Sequence, residues 1–300
     1  MGNGPPVSGR IQRRFRRGCT HAFGATGVGR PGRWRRWRTQ APFLRVGLRH
    51  ADAIRPAHRL ALMADVPEFH PPPAGGPARG WHYVGPLTDR PRPESHVACL
   101  DDGWDTSRPL VYLTLGSSGR PADYLPGLID TFAASPYRLV VTTGGRAGVP
   151  PVPDGVRVFD YLPGEWILAR AQVLLGVVGI GAIYQALRQA RPVLCWAEHA
   201  DQRAHLARVE ALGLGRRLWS RRLSSGGRGA PPAGGPSPEP AQVLEAIDEL
   251  LAEGDALRTR CRAFAVHLTA RDGGEVAADV FERHLESAPP PRPPRLGPPA

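Results

Sequence analysis

The sequence predicts an α/β protein on a doubly wound parallel sheet: a single Rossmann-like half with C-terminal helices, between an Arg-rich N-terminus and a Pro-rich C-terminus that are both expected to be disordered. Three observations carry this. From Pro109 onward, short apolar β-rich runs alternate with segments of helical period. Glycine or proline ends or flanks most of these runs, as turn residues do between strands and helices. Residues 1–60, by contrast, hold 14 arginines and one acid, Asp52, with no sustained period of either kind.

Charge follows the same division. The chain carries +12 and residues 1–60 carry +13, so the other 240 residues sum to about −1 and imply no polyanion-binding surface. Nucleic acid is therefore not an expected partner of the globular part. Cys19, Cys99, Cys195 and Cys261 form no Cys-x-x-Cys pair, which points away from a zinc site and toward a reduced, cytoplasmic protein. No apolar run reaches the roughly 18 residues of a membrane span. The basic N-terminus lacks the apolar stretch and cleavage site of a secretory signal.

Four segments are expected: 1–56, Arg/Gly/Pro-rich; 57–109, a linker; 110–286, the folded domain; and 287–300, a proline-rich tail. In the linker, Leu60–Val66 is apolar, Pro71–Pro77 is extended or turned, and Trp81–Leu87 reads as a short strand ending in Gly85-Pro86. In the domain, Leu110–Leu115 is a strand stopped by Gly116. A helix over Ala122–Ala134 places Leu125, Leu128, Ile129 and Phe132 on one face. Strands follow at Arg138–Thr143, Val156–Phe159 and Val173–Val178. A helix at Ile180–Gln189, a strand at Pro192–Trp196 and a helix at Asp201–Leu212 complete the alternation. After the Gly/Pro/Ser loop Ser224–Pro240, Ala241–Leu251, Asp255–Thr269 and Gly274–Leu285 are amphipathic helices.

In a doubly wound sheet, ligands sit beyond the carboxyl ends of the strands. Three such ends stand out here. Gly116-Ser117-Ser118-Gly119 and Gly179-Ile180-Gly181 let backbone N–H groups approach a phosphate, and the helix after each favours an anion. The same small residues also serve as plain strand-to-helix turns. Glu198-His199-Ala200-Asp201-Gln202 offers polar groups to a polyhydroxylated ligand, or an N-cap at Asp201.

These sites in this order resemble the C-terminal donor-binding domain of GT-B glycosyltransferases that use UDP- or TDP-sugars, the antibiotic and macrolide glycosyltransferase-like group. Asp65-Val66-Pro67-Glu68-Phe69 and Tyr83-Val84-Gly85-Pro86-Leu87 resemble that family's interdomain linker. Asp160-Tyr161-Leu162-Pro163 is similar to its hydrophobic residue before Val-Pro-Gln. Val177 to Leu187, Arg191-Pro192-Val193-Leu194 and Asp201-Gln202 follow its His-Gly-Gly-x-Gly-Thr, Gly-Val-Pro and Asp-Gln pattern. The resemblance implies transfer of a hexose from a nucleotide sugar, which is the substrate, to an acceptor hydroxyl. It implies no cofactor and no metal. It places Tyr161 against the nucleobase with Leu162 beside it through its backbone. Gly116, Ser117, Gly179 and Gly181 then line the diphosphate, Gln185 reaches the ribose, and Asp201 and Gln202 hold sugar hydroxyls.

The departures from the pattern shape the expectation. The family histidine is Val177, its next glycine Val178, its threonine Ala182, and the glutamine after the proline Gly164. The lost imidazole and hydroxyl donors are worth roughly 1.5–3 kcal/mol each as charge-assisted bonds. Donor binding should therefore be weak, and Val177→His with Ala182→Thr should tighten it. No acceptor domain and no catalytic base is recognised, so the expectation is a truncated or degenerate enzyme with weak or no activity alone. Two other readings arise. One is a non-catalytic subunit docking on a separate N-domain or glycosyltransferase partner, marked by exposed apolar surface at Val177 and Val178. The other is an RNA- or membrane-binding role for the arginine-rich segment. The acceptor, whether a small molecule or a lipid, is not specified.

Overall fold

The computed structural model describes residues 60–74, 76, 80–87, 100, 103–116, 124–145, 152–218, 238–270 and 272–286. The segments 1–56 and 287–300, most of the Ser224–Pro240 loop, and Ser117 with the rest of its glycine-serine turn lie outside them.

Six parallel strands form the central sheet: β3 (Leu110–Thr114), β4 (Arg138–Thr142), β5 (Val156–Phe159), β6 (Val173–Val177), β7 (Val193–Trp196) and β8 (Gly215–Arg217). Their order is β5-β4-β3-β6-β7-β8, so the winding reverses direction between β3 and β6. That reversal is the doubly wound topology, and it opens a crevice beyond the carboxyl ends of β3 and β6. Helices on both faces bury the inner strands, which explains why they read as unbroken apolar runs rather than alternating ones. Every residue of β4, β6 and β7 is buried.

The helices are α1 (Leu125–Ala133), α2 (Gly164–Leu168), α3 (Ile180–Arg188), α4 (Ala200–Ala211), α5 (Pro240–Ala252), α6 (Gly254–Thr269) and α7 (Gly273–Glu286). Leu125, Leu128, Ile129 and Phe132 of α1 are buried together, as their spacing predicts. Side-chain parity along β8 separates the two faces. Arg216 reaches Glu249 and Glu253 at the α5 end, whereas Arg217 pairs with Glu210 of α4 at 2.9 Å.

Three elements escaped the pattern. Helix α2 is one turn long, too short to show a period. Strand β8 is Gly-Arg-Arg at the sheet edge, and its arginines are tolerated because ion pairs cover them. Strand β1 (Ala61–Met63) pairs in parallel with β2 (Trp81–Tyr83) to form a separate two-stranded sheet. The expected strand Trp81–Leu87 stops at Tyr83, because Gly85 takes φ +91° and Pro86 has no N–H to give. Helix α7 begins hard against this turn. A Cβ on Gly273 would meet the Pro86 carbonyl oxygen at 2.3 Å, so only glycine fits there.

Candidate functional site

The carboxyl ends of β3, β6 and β7 lie side by side, because β6 pairs with β3 on one side and β7 on the other. Gly116 follows β3, Gly179 and Gly181 follow β6, and Asp201 follows β7, so the sheet brings the three loop ends to one edge. Contact between the first two is direct: a Cβ on Gly116 would meet the Val177 carbonyl oxygen at 2.6 Å. Gly116 also holds φ +59°, a conformation that other residues adopt reluctantly.

Gly179 is the N-cap of α3 in extended conformation, and α3 has no acid in its first turn. Gly179 and Gly181 are exposed, and among the described residues no side chain or other segment comes within 4 Å of where a Cβ would stand. A helix start with open space above it and a positive dipole end suits an anion.

Tyr161 and Leu162 lie in the connection from β5 to α2, and α2 packs on α3. Tyr161 is 66% exposed, an unusual state for an aromatic ring, while Leu162 packs on the core. The Gln185 side chain comes to the same place. Its Oε1 lies 2.7 Å from where a Gly164 Cβ would be, with the Tyr112 hydroxyl 3.5 Å from that point. Tyr112 is buried and bonds Thr142 at 2.9 Å, and its phenol is pushed up by burial. The absent side chain at position 164 is therefore filled by Gln185.

Two expectations change. Asp201 is not the N-cap of α4; that place belongs to His199, and Asp201 is exposed in the first turn. The helix start is closed by Gln202, whose Oε1 accepts the Glu198 and His199 backbone N–H groups at 2.8 and 3.0 Å. Gln202 is 4% exposed, so its carboxamide oxygen is committed to this turn. Val177 and Val178 are both fully buried. The exposed apolar surface expected of a docking subunit is not found there. Val177 pairs in register with Trp196, whose ring meets Tyr124 edge-to-face at 5.1 Å.

Contacts between distant segments were not legible in the sequence. Glu165 of α2, buried, lies 3.6 Å from Arg188 of α3. Asp65 accepts hydrogen bonds from His70 and from the Tyr184 hydroxyl, 119 residues away. No spacing rule signals such pairs. Cys195 and Cys261 are buried free thiols; burial pushes Cys195 well up and Cys261 to about 11. Among the described residues, no cluster of three or more His, Cys, Asp or Glu could hold a metal ion. Nor is any described helix long and apolar enough to cross a membrane.

No protein-family model matches the chain. Among curated proteins, it is 35% identical over 229 residues to a PGL/p-HBAD biosynthesis glycosyltransferase of Mycobacterium tuberculosis, covering 76% of this chain and 47% of that protein. It is 35% identical over 170 residues to a PGL/p-HBAD biosynthesis rhamnosyltransferase of Mycobacterium bovis, covering 55% of this chain and 35% of that protein. The chain thus spans half or less of the length of these relatives. Among solved structures, a calicheamicin glycosyltransferase superposes with a TM-score of 0.59 at 22% identity, over 86% of this chain and 64% of that one. The relatives of the chain are glycosyltransferases, and its fold is that of GT-B glycosyltransferases.

Proposed function

We propose, from this kinship, that residues 110–286 are a donor-binding domain that holds a UDP- or TDP-sugar beyond β3, β6 and β7 for hexosyl transfer to an acceptor hydroxyl. Residues 57–109 would be the linker on its N-terminal side. The observation that carries the reading is the convergence of Gly116, Gly179 and Gly181 at the point where the sheet reverses, with the open start of α3 above it.

The proposed roles follow from chemistry. The backbone N–H groups at the start of α3 meet the diphosphate and stabilise it as leaving group. Tyr161 stacks on the base, Gln185 lies within reach of the ribose, and Asp201 accepts from sugar hydroxyls. Gln202 orients Asp201 by closing the helix start. Ser117 belongs with the diphosphate group by its sequence position. No residue is assigned as the base. An acceptor-bearing domain or partner would supply it, and the acceptor's identity lies with that partner.

Calorimetric titration with UDP and with uridine tests the reading. UDP is expected to bind in the range of ~0.1–1 mM and at least tenfold more tightly than uridine, as two or more backbone N–H bonds to a dianion require. Equal affinities would remove the diphosphate from the start of α3. The Val177→His exchange now carries a cost, because it puts an imidazole into fully buried packing beside Trp196. The gain in UDP affinity is expected from Ala182→Thr alone.

Gly164→Gln is expected to expel the Gln185 carboxamide from the space it fills and turn it toward the ribose. Uridine affinity should then rise about fivefold, the worth of one added hydrogen bond. Unchanged uridine affinity would mean that Gln185 does not contact the nucleoside.

A further inference from the structure

The segment after β1 is tied to the two helices that carry Gln185 and Asp201. Asp65 Oδ2 lies 2.6 Å from His70 Nδ1, and His70 Nε2 lies 3.3 Å from His205 Nδ1 of α4. The two imidazoles meet edge-to-face, 5.1 Å between centroids. The other carboxylate oxygen of Asp65 accepts the Val66 N–H at 2.7 Å and the Tyr184 hydroxyl of α3. Phe69 is fully buried against Tyr184 and Phe264, and Arg208 of α4 donates to its carbonyl at 2.5 Å. Tyr83 of β2 donates to the His70 carbonyl at 2.7 Å.

The proton positions follow from the partners. An ionised carboxylate only accepts, so His70 Nδ1 donates to Asp65 and His70 Nε2 is left with a lone pair. His205 Nδ1 must then be the donor to His70. With both rings protonated, neither nitrogen can accept and two N–H groups face each other.

Tyr184 is the neighbour of Gln185 on α3, and His205 sits one turn beyond Asp201 on the same face of α4. Resting on the proposed function, we infer that the chain Asp65–His70–His205 is a positioning device that sets the Gln185 and Asp201 helices for the sugar nucleotide and loosens when the paired imidazoles are protonated.

Burial, and then the neighbouring His70, holds His205 below the usual imidazole value, while Asp201 and Asp65 oppose the shift. An imidazole with a depressed folded value takes up protons more readily when unfolded. Its stabilisation is complete above the ordinary value of about 6.5 and is lost as pH falls from there toward the folded value. Among the described residues, the ionisable or charged groups that contact or act on the segment include Glu68 on it, Tyr83 of β2, Tyr184 of α3, Asp201 and Arg208 of α4, and His267 of α6, which lies 3.4 Å from Glu68.

The test is the dissociation constant of UDP-glucose, whose diphosphate diester does not titrate in this window, measured between pH 8 and pH 5 on the full chain. The parent should lose affinity progressively as pH falls from about 6.5 toward 5. His205→Asn retains a donor near Nδ1 but cannot titrate; it should match the parent at pH 8 and stay flat. His205→Leu should bind about fivefold more weakly at pH 8, having lost the donor. His267→Asn, which removes the imidazole beside Glu68, should reproduce the parent's profile. The protection factors of the backbone amides of residues 65–70, Pro67 excepted, measured without ligand should fall with acid in the parent and not in His205→Asn. A His205→Asn profile that falls like the parent's, or His205→Leu binding as the parent does at pH 8, overturns the positioning role and leaves the proposed function standing. No binding by the parent at pH 8 overturns both.

Discussion

Gly181→Asp is expected to reduce UDP affinity at least a hundredfold while leaving the fold as stable as the parent or more so. The two effects separate because of where Gly181 stands. It is exposed in the first turn of α3, and among the described residues a Cβ there meets nothing within 4 Å. Glycine inside a helix costs roughly 0.5–1 kcal/mol against other residues, and an acid in the first turn gains from the helix dipole. No acid occupies that turn now. Against a bound diphosphate the same carboxylate is a like charge at close range, worth about 4 kcal/mol at 4 Å in a surface-like dielectric. Thermal melts together with UDP titration of parent and variant check both parts. Retained affinity with raised stability would place the phosphates elsewhere.

Gly116→Ala should instead destabilise the fold by roughly 2–4 kcal/mol, whether or not a ligand is present. Its φ of +59° costs a side-chain-bearing residue about 1 kcal/mol or more. The added Cβ would stand 2.6 Å from the Val177 carbonyl oxygen, where nothing flexible can yield. Val177 closes the centre of the sheet between β3 and β7, so relief would require moving a strand. Urea denaturation measures the loss as a lowered midpoint with an unchanged slope. An unchanged midpoint would show that the β3 and β6 ends do not pack as described.

The order of strands and helices was legible because buried parallel strands and amphipathic helices advertise themselves. Val156–Phe159 was placed to the residue, and the neighbouring elements to within a few residues. One-turn α2 and polar β8 carry no such pattern. For the candidate site, Gly116 after β3 was legible, because its close approach to Val177 leaves a mark in residue type, whereas Gly179 and Gly181 after β6 stand in open space. The state of the side chains was not. Gln202 reads as a ligand contact, yet its buried oxygen is held by two backbone amides. Val177 reads as a phosphate neighbour, yet it is fully buried in register with Trp196. The Asp65–His70–His205 chain joins residues 135 positions apart, which only the folded packing reveals.

On the proposed function, the start of α3 receives a diphosphate. A crystal structure of the chain grown with millimolar UDP tests it most directly. The diphosphate is expected against the backbone N–H groups of residues 180–182, the base over Tyr161 and the ribose within reach of Gln185. A nucleotide bound at any other surface, with the start of α3 empty at saturating UDP, would contradict it.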